Sequence, residues 1–288
     1  MNDYLLSIVL GVLEGLTEFL PVSSTAHLRI AEALFRIDLA NGFWKMYSIV
    51  IQLGAILALT FYFWRRILNF LRTFPAGERG DRTIFNHPLS LVLVAFVVTA
   101  IPSFLLTKMI GKNLENLHVM AWALLIGGIV MWIVDWTFVR PRLLRMEDAN
   151  LPTAIWIGAV QILSAVFPGT SRSMCTIAAG QVAGMSRQAA LEFSFFLSIP
   201  TMFVATGYDL LKTLKPHAGS GVIAPLAMTP HLWVVLGIGF VAAFISAFAV
   251  VAWFLHWVRR HGFTPFAIYR IVLGLALLAA LARGWFGR

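Results

Sequence analysis

The sequence predicts an all-α integral membrane protein built as an inverted-topology repeat, with six spanning helices and two re-entrant helix pairs meeting near the bilayer midplane. Three observations predict it. Of the 288 residues, 59% are hydrophobic and 12% charged, with a mean hydropathy of +0.83, whereas soluble domains carry roughly 25% charged residues. Six apolar runs reach the length of about 20 residues that a spanning helix needs. One polar, proline-broken motif also occurs twice, as GVLEGLTEFLPVSSTAH at 11–27 and GAVQILSAVFPGTSRSM at 158–174. Matched without a gap, the copies pair Gly11 with Gly158, Glu14 with Gln161, Pro21 with Pro168 and Ser24 with Ser171, at an offset of 147 residues.

In chain order, the first apolar region, about 4–36, is cut near its middle by Pro21 and a hydroxyl-rich turn. Each half is too short to span, so the region reads as a re-entrant pair. Irregular backbone at membrane depth is tolerated only where protein buries it or it lines a watery cavity. The apolar start carries Asp3, Glu14 and Glu18 and has no basic leader, so no cleavable signal is expected. Spans follow at roughly 43–64, 88–108 and 117–138. A second cut region, about 152–183, breaks at Pro168, and spans follow at roughly 189–210, 231–257 and 265–283.

Each half is thus one re-entrant pair and three spans. Because three is odd, the second half must sit upside down relative to the first, and in such folds the broken helices build a site near the midplane. The chain reads as a single polytopic domain, 1–288, with repeat one at about 1–140 and repeat two at about 150–288. A weaker match, IVIQLGAILA at 49–58 with FFLSIPTMFV at 195–204, supports the division.

Charge sets the expected orientation. Arg65, Arg66, Arg72, Arg79 and Arg82 follow the first span, Arg140, Arg142 and Arg145 the third, and Arg259 and Arg260 the fifth. These loops go to the cytoplasm by the positive-inside rule, leaving Lys108, Lys112, Lys212 and Lys215 outside. The first re-entrant pair then enters from outside and the second from the cytoplasm. The formal charge of +9 resides mainly in these short loops, which suits anionic lipid and gives no reason to expect nucleic acid. Cys175 is the only cysteine, excluding an intrachain disulfide. Trp44, Trp64, Trp136 and Trp257 fall at span ends, as an aromatic belt requires. A homodimer is compatible with the sequence, since lipid-facing and subunit-facing apolar residues look alike in it.

The two motifs hold the candidate site. Glu14 and Glu18, spaced i, i+4, share one helical face. A carboxylate at membrane depth costs several kcal/mol, so the pair calls for a cation, a proton or water, unless the segment lies shallow and both are solvated. The turn Pro21-Val22-Ser23-Ser24-Thr25 leads into a helix whose free N–H groups favour an anion. Pro168-Gly169-Thr170-Ser171-Arg172-Ser173 does the same and adds a guanidinium suited to phosphate. The plainer reading is N-capping by Ser and Thr, with Arg172 pairing Glu14 or Glu18. His27 lies within helical reach of Ser23 and Ser24 and suits acid-base or nucleophilic work. Gln52, Thr176, Gln181, Glu192 and Ser198 are polar helix positions able to line the cavity or to join helices. No nucleotide-binding or zinc-protease motif is present.

EGLTEFLPVSSTAH and PGTSRSMCT, with IQLGAILA, EFSFFLSIP and FAIYRIVLG, resemble the bacterial undecaprenyl-diphosphate phosphatases of the bacitracin-resistance type across essentially the whole chain. The resemblance implies a multi-pass enzyme of the bacterial inner membrane, its site facing the periplasm. It would remove the terminal phosphate of a C55 polyprenyl diphosphate and so recycle the lipid carrier of peptidoglycan synthesis. By motif position it implies Glu14, Glu18, Ser23, Ser24, Thr25 and His27 in the first motif and Ser171, Arg172, Ser173 and Thr176 in the second. Ala26 stands where the family usually has Gly, Met174-Cys175 where it has Gly-Ala, and Ser48 where a Glu is frequent.

The expected chemistry is phosphoric anhydride hydrolysis. Ser24 is the leading nucleophile with Glu18 or His27 as base and Glu14 assisting, Arg172 and the helix N-termini hold the diphosphate, and His27 is the rival nucleophile. The carboxylates suggest Mg2+ or Ca2+ on Glu14 and Glu18, or a cation carried in by the substrate. The same architecture also suits a transporter, or flippase, of the lipid carrier.

Overall fold

The computed structural model describes residues 2–37, 42–106, 116–214 and 228–285. The first broken region forms α1 (Asp3–Thr17) and α2 (Ser24–Leu34), followed by α3 (Gly42–Tyr62), α4 (Trp64–Thr73), α5 (Pro88–Leu105) and α6 (Leu117–Thr137). The second forms α7 (Leu151–Val166) and α8 (Arg172–Val182), followed by α9 (Arg187–Leu214), α10 (Pro230–His261) and α11 (Thr264–Ala282). Among the described residues the regular structure is helical, apart from one isolated bridge between Leu143 and Met185.

Six of these helices are long and apolar enough to cross a membrane, and they are the six runs read from the sequence. At about 1.5 Å per residue α1 and α7 extend some 22–24 Å, short of the roughly 30 Å hydrocarbon core. Local chemistry sets the starts: Asn116, Asn150 and Thr229 cap α6, α7 and α10, and prolines occupy the first turns of α5, α7, α10 and α11.

Three details differ from expectation. The connection at 65–87 contains α4, whose sequence WRRILNFLRT is too charged to span but periodic enough to turn Phe70 inward. The Arg-rich end of α10 continues as helix to His261. Of the expected belt, Trp64 and Trp136 are exposed at helix ends, whereas Trp44 packs with Phe43 and Tyr47 and Trp257 stacks on His261. Lys108, Lys112 and Lys215 lie outside the described residues.

The halves interlock. α1 packs on α10 of the second half, and α7 packs on α5 of the first. Both seams depend on small residues, which let helix backbones approach within a membrane. A Cβ on Gly15 would lie 2.5 Å from the Ala243 carbonyl, and one on Gly158 would lie 2.4 Å from the Ala95 carbonyl. Hydroxyls reinforce them: Ser7 donates to the Val235 carbonyl at 2.6 Å and Thr99 to the Gly158 carbonyl at 2.7 Å.

The Arg-rich segments share one side of the molecule. Arg66 donates to Glu147 and Glu192 at 2.5 and 2.8 Å, and Arg82 to the Glu147 carbonyl at 2.8 Å. On that side too, the Arg142 N–H reaches the Gly184 carbonyl just past α8, and Arg187 pairs with Asp135 at the end of α6. The start of α1 lies elsewhere, with Asp3 and Tyr4 bonded to His231 at the beginning of α10. The two broken regions therefore open on opposite sides and bring their turns together inside the molecule.

Candidate active site

The two turns are built alike. Ser23 and Ser171 are the N-caps of α2 and α8, with φ of 74° and 71°, a left-handed conformation that few non-glycine residues adopt. Each hydroxyl accepts from the backbone N–H three residues on, Ala26 at 3.4 Å and Met174 at 3.3 Å. Gly169, at φ 94°, is required twice over, since a Cβ there would also lie 2.7 Å from the Met120 carbonyl.

These caps revise the gapless match by one residue. The cap falls two residues after Pro21 but three after Pro168, so Ser23 corresponds to Ser171 and Ser24 to Arg172. The second turn holds one more residue, which a match anchored on the prolines hides. Ser24 and Arg172 are each the first residue of a helix, and both reach the same carboxylate.

That carboxylate is Glu18, one residue past the end of α1. Ser24 Oγ donates to Glu18 Oε2. Arg172 Nη2 donates to Glu18 Oε1 at 3.2 Å, while its Nη1, also buried, has no partner. Glu14, one turn earlier, is fully buried, and neither of its oxygens has a hydrogen-bond partner. It lies within electrostatic reach of Glu18, Glu32 and Arg172. A cavity of about 160 Å³ opens beside them, lined by Glu18, Ser23, Ser24, Thr25, Ser171 and Arg172, with Ser164, Ala165, Pro168 and Gly169 completing the wall.

Not every expected residue joins this cluster. His27 does not touch Ser24: its Nδ1 meets the Ser23 carbonyl at 2.7 Å and its Nε2 the Tyr269 hydroxyl at 2.6 Å. Ser173 donates to the Leu20 carbonyl at 2.9 Å, joining one turn to the other. Thr176 bonds Ser194 at 2.6 Å and so ties α8 to α9, away from the cavity wall. Gln181 reaches Asp135, Glu192 pairs with Arg66, and Ser198 bonds its own helix at Phe195. Ser48, standing where the resemblance leads one to expect a carboxylate, donates to Glu32 at 2.8 Å, so another helix supplies one there.

Sequence reasoning missed two neighbours. Ser164 lines the cavity but sits in an apolar helix with no distinguishing pattern. Arg270, inside the span FAIYRIVLG, is fully buried and touches both turns. A charge within an apolar run was the available signal.

The arrangement has the parts of a phosphoryl-transfer site: a hydroxyl on a carboxylate base, a guanidinium with an unused nitrogen, and two helix N-termini facing one cavity. Comparison with known proteins gives the family independently of this geometry. The model of the family described as bacitracin resistance protein BacA matches residues 7–276. A protein of Koribacter versatilis (strain Ellin345) named undecaprenyl-diphosphatase is 63% identical over 282 residues, covering 97% of this chain and 98% of that protein. Proteins of the same name from Rhizobium etli and Xanthomonas oryzae pv. oryzae are 42% and 43% identical. The first covers 98% of both chains, the second 96% of this chain and 97% of its own.

Proposed function

The chain belongs to the bacitracin resistance protein BacA family and acts as an undecaprenyl-diphosphatase, and we propose that Glu18, Ser24 and Arg172 carry its chemistry. The observation that carries this reading is the single carboxylate shared by Ser24 and Arg172. The transporter reading finds no support among the relatives.

In this mechanism the prenyl diphosphate keeps its tail in lipid and places its terminal phosphoryl group in the cavity. Arg172, through its unused Nη1, and the first N–H groups of α2 and α8 bind the phosphoryl oxygens and stabilise charge in the transition state. Ser24 Oγ attacks phosphorus, Glu18 accepts the hydroxyl proton, and the bond to the bridging oxygen breaks, releasing prenyl monophosphate. Glu18 hands that proton to the departing monophosphate; water then attacks the phosphoserine and gives a proton to the freed carboxylate, which passes it to the Ser24 oxygen as the phosphorus–oxygen bond breaks, and inorganic phosphate departs. His27, held at both ring nitrogens, positions the start of α2 rather than acting on phosphorus.

The residues fit a divalent cation only in part. Such an ion takes about six oxygens, and Glu18 already serves Ser24 and Arg172, leaving Glu14 as the carboxylate with unpaired oxygens. Glu14 is fully buried and does not line the cavity, so we assign Mg2+ or Ca2+ to the substrate's diphosphate rather than to the protein. When bound it would neutralise charge on the diphosphate.

The Arg-rich side is cytoplasmic in this reading, which places the first re-entrant pair on the periplasmic side of the inner membrane. The test is phosphate release from a C55 prenyl diphosphate by the purified protein in detergent. Wild type should turn over, and Glu18→Ala and Arg172→Ala should each lose at least about 100-fold. No release by wild type, or unchanged release by the variants, would overturn the assignment.

A further inference from the structure

Arg270 heads the fully buried side chains by size, and its environment is unusual for a charge. Its partners are three backbone carbonyls: Nη1 donates to Pro21 at 3.2 Å, and Nη2 to Ala123 at 3.0 Å and Gly169 at 3.1 Å. Among the described residues no carboxylate lies within ion-pair distance of it. Pro21 lies two residues before the cap Ser23, and Gly169 two before the cap Ser171. One guanidinium thus holds the equivalent carbonyl in each turn.

We propose that Arg270 is the positioning residue of the active site, a clamp across the two re-entrant turns that sets how far Ser24 and Glu18 stand from Arg172. The inference rests on the phosphatase reading above and deepens it. A peptide unit is planar, so fixing a carbonyl fixes the plane of its peptide. Two residues on, each chain must take the positive φ of its cap serine, which costs of order 1–3 kcal/mol and persists only where the surroundings over-determine it. Arg270 is one such determinant, acting on both turns at once. Its planar fork with five donors can hold carbonyls arriving from α6 and both turns, which a single ammonium cannot do in the same geometry. The third carbonyl, Ala123, anchors the clamp to α6, a helix that belongs to neither turn.

The precision matters because Ser24 and Arg172 act on one phosphoryl group from different helices. A misplacement of about 1 Å between catalytic groups costs on the order of 100-fold in rate. Arg270 itself lies outside the cavity wall, so its removal should act on turnover rather than on substrate binding.

A second, independent way to disturb the clamp lies beside it. A Cβ on Gly127, in α6, would lie 2.4 Å from Arg270 Nη2 and 2.8 Å from the end of Met174. Gly127→Ala would therefore displace the guanidinium while leaving its charge in place.

The experiment measures kcat and KM for phosphate release, with thermal unfolding in the same detergent, for wild type, Arg270→Gln, Arg270→Lys and Gly127→Ala. The expected result is a kcat loss of about 100-fold for Arg270→Gln, with KM within about threefold of wild type. Arg270→Lys and Gly127→Ala should fall between. If Arg270→Gln does not fold, the other two carry the test. The proposal is overturned if the folded variants keep wild-type kcat. It is also overturned if KM rises with kcat preserved, which would mean direct phosphate binding, or if kcat per folded molecule is unchanged while only melting temperature falls. An inactive wild type would instead sink the phosphatase reading itself.

Discussion

Glu18 accepts from Ser24 on α2 and from Arg172 on α8, so in the proposed mechanism one side chain couples the attacking hydroxyl to the phosphate-binding cation. The proposed mechanism therefore does without His27 as a base. Both of its ring nitrogens are already engaged, by the Ser23 carbonyl and by Tyr269. His27→Gln and Tyr269→Phe should each lower turnover by about tenfold or less, whereas Glu18→Gln, which removes the base, should lower it by about a thousandfold. Equal losses in His27→Gln and Glu18→Gln would return the histidine to the chemistry. The acids, hydroxyls and Arg172 were legible in the sequence because polar groups stand out in an apolar chain. The division of labour was less so: His27 shares a helical face with Ser23, yet its partner Tyr269 lies 242 residues away. Arg270 escaped assignment for a similar reason, since carbonyl acceptors leave no mark in a sequence.

At the scale of elements, the two turns stand out as strained structures held by their caps. Ser171 at φ 71° bears the left-handed penalty and offsets part of it through its hydroxyl. Alanine there would keep the strain and lose the cap, at a cost of about 1 kcal/mol or more. Glycine would lose the same cap but relax the backbone. Ser171→Ala should therefore melt at a lower temperature than Ser171→Gly, and the reverse order would contradict the geometry. The helices themselves were readable to within a few residues, because length, hydropathy and capping residues act locally. The structure of the turns was not. The one-residue difference between Pro21-Val22-Ser23 and Pro168-Gly169-Thr170-Ser171 changes which residue starts each helix, and the matching prolines conceal it. α4 was overlooked because its apolar stripe is interrupted by arginines, one of which, Arg66, finds its partners on distant segments.

For the whole molecule, helices of each half pack against helices of the other around the cavity. α1 is seated on α10 and α7 on α5, so the helices that lead into the two turns are held by spans of the opposite half. Arg66, Arg82, Arg142 and Arg187 gather on one side of the molecule, and the proposed orientation puts that side in the cytoplasm. A cysteine placed in the 65–87 segment of a Cys175→Ser background should be shielded from an impermeant thiol reagent in intact cells. Ready labelling would place the Arg-rich side outside and invert the proposed orientation. The central claim, that Ser24 attacks phosphorus with Glu18 as its base, is tested most directly by quenching a single turnover of terminally labelled C55 prenyl diphosphate and locating the label. A phosphoryl group is expected on Ser24, absent from a Ser24→Ala variant that has lost turnover. Label on His27, or wild-type turnover by Ser24→Ala, would contradict it.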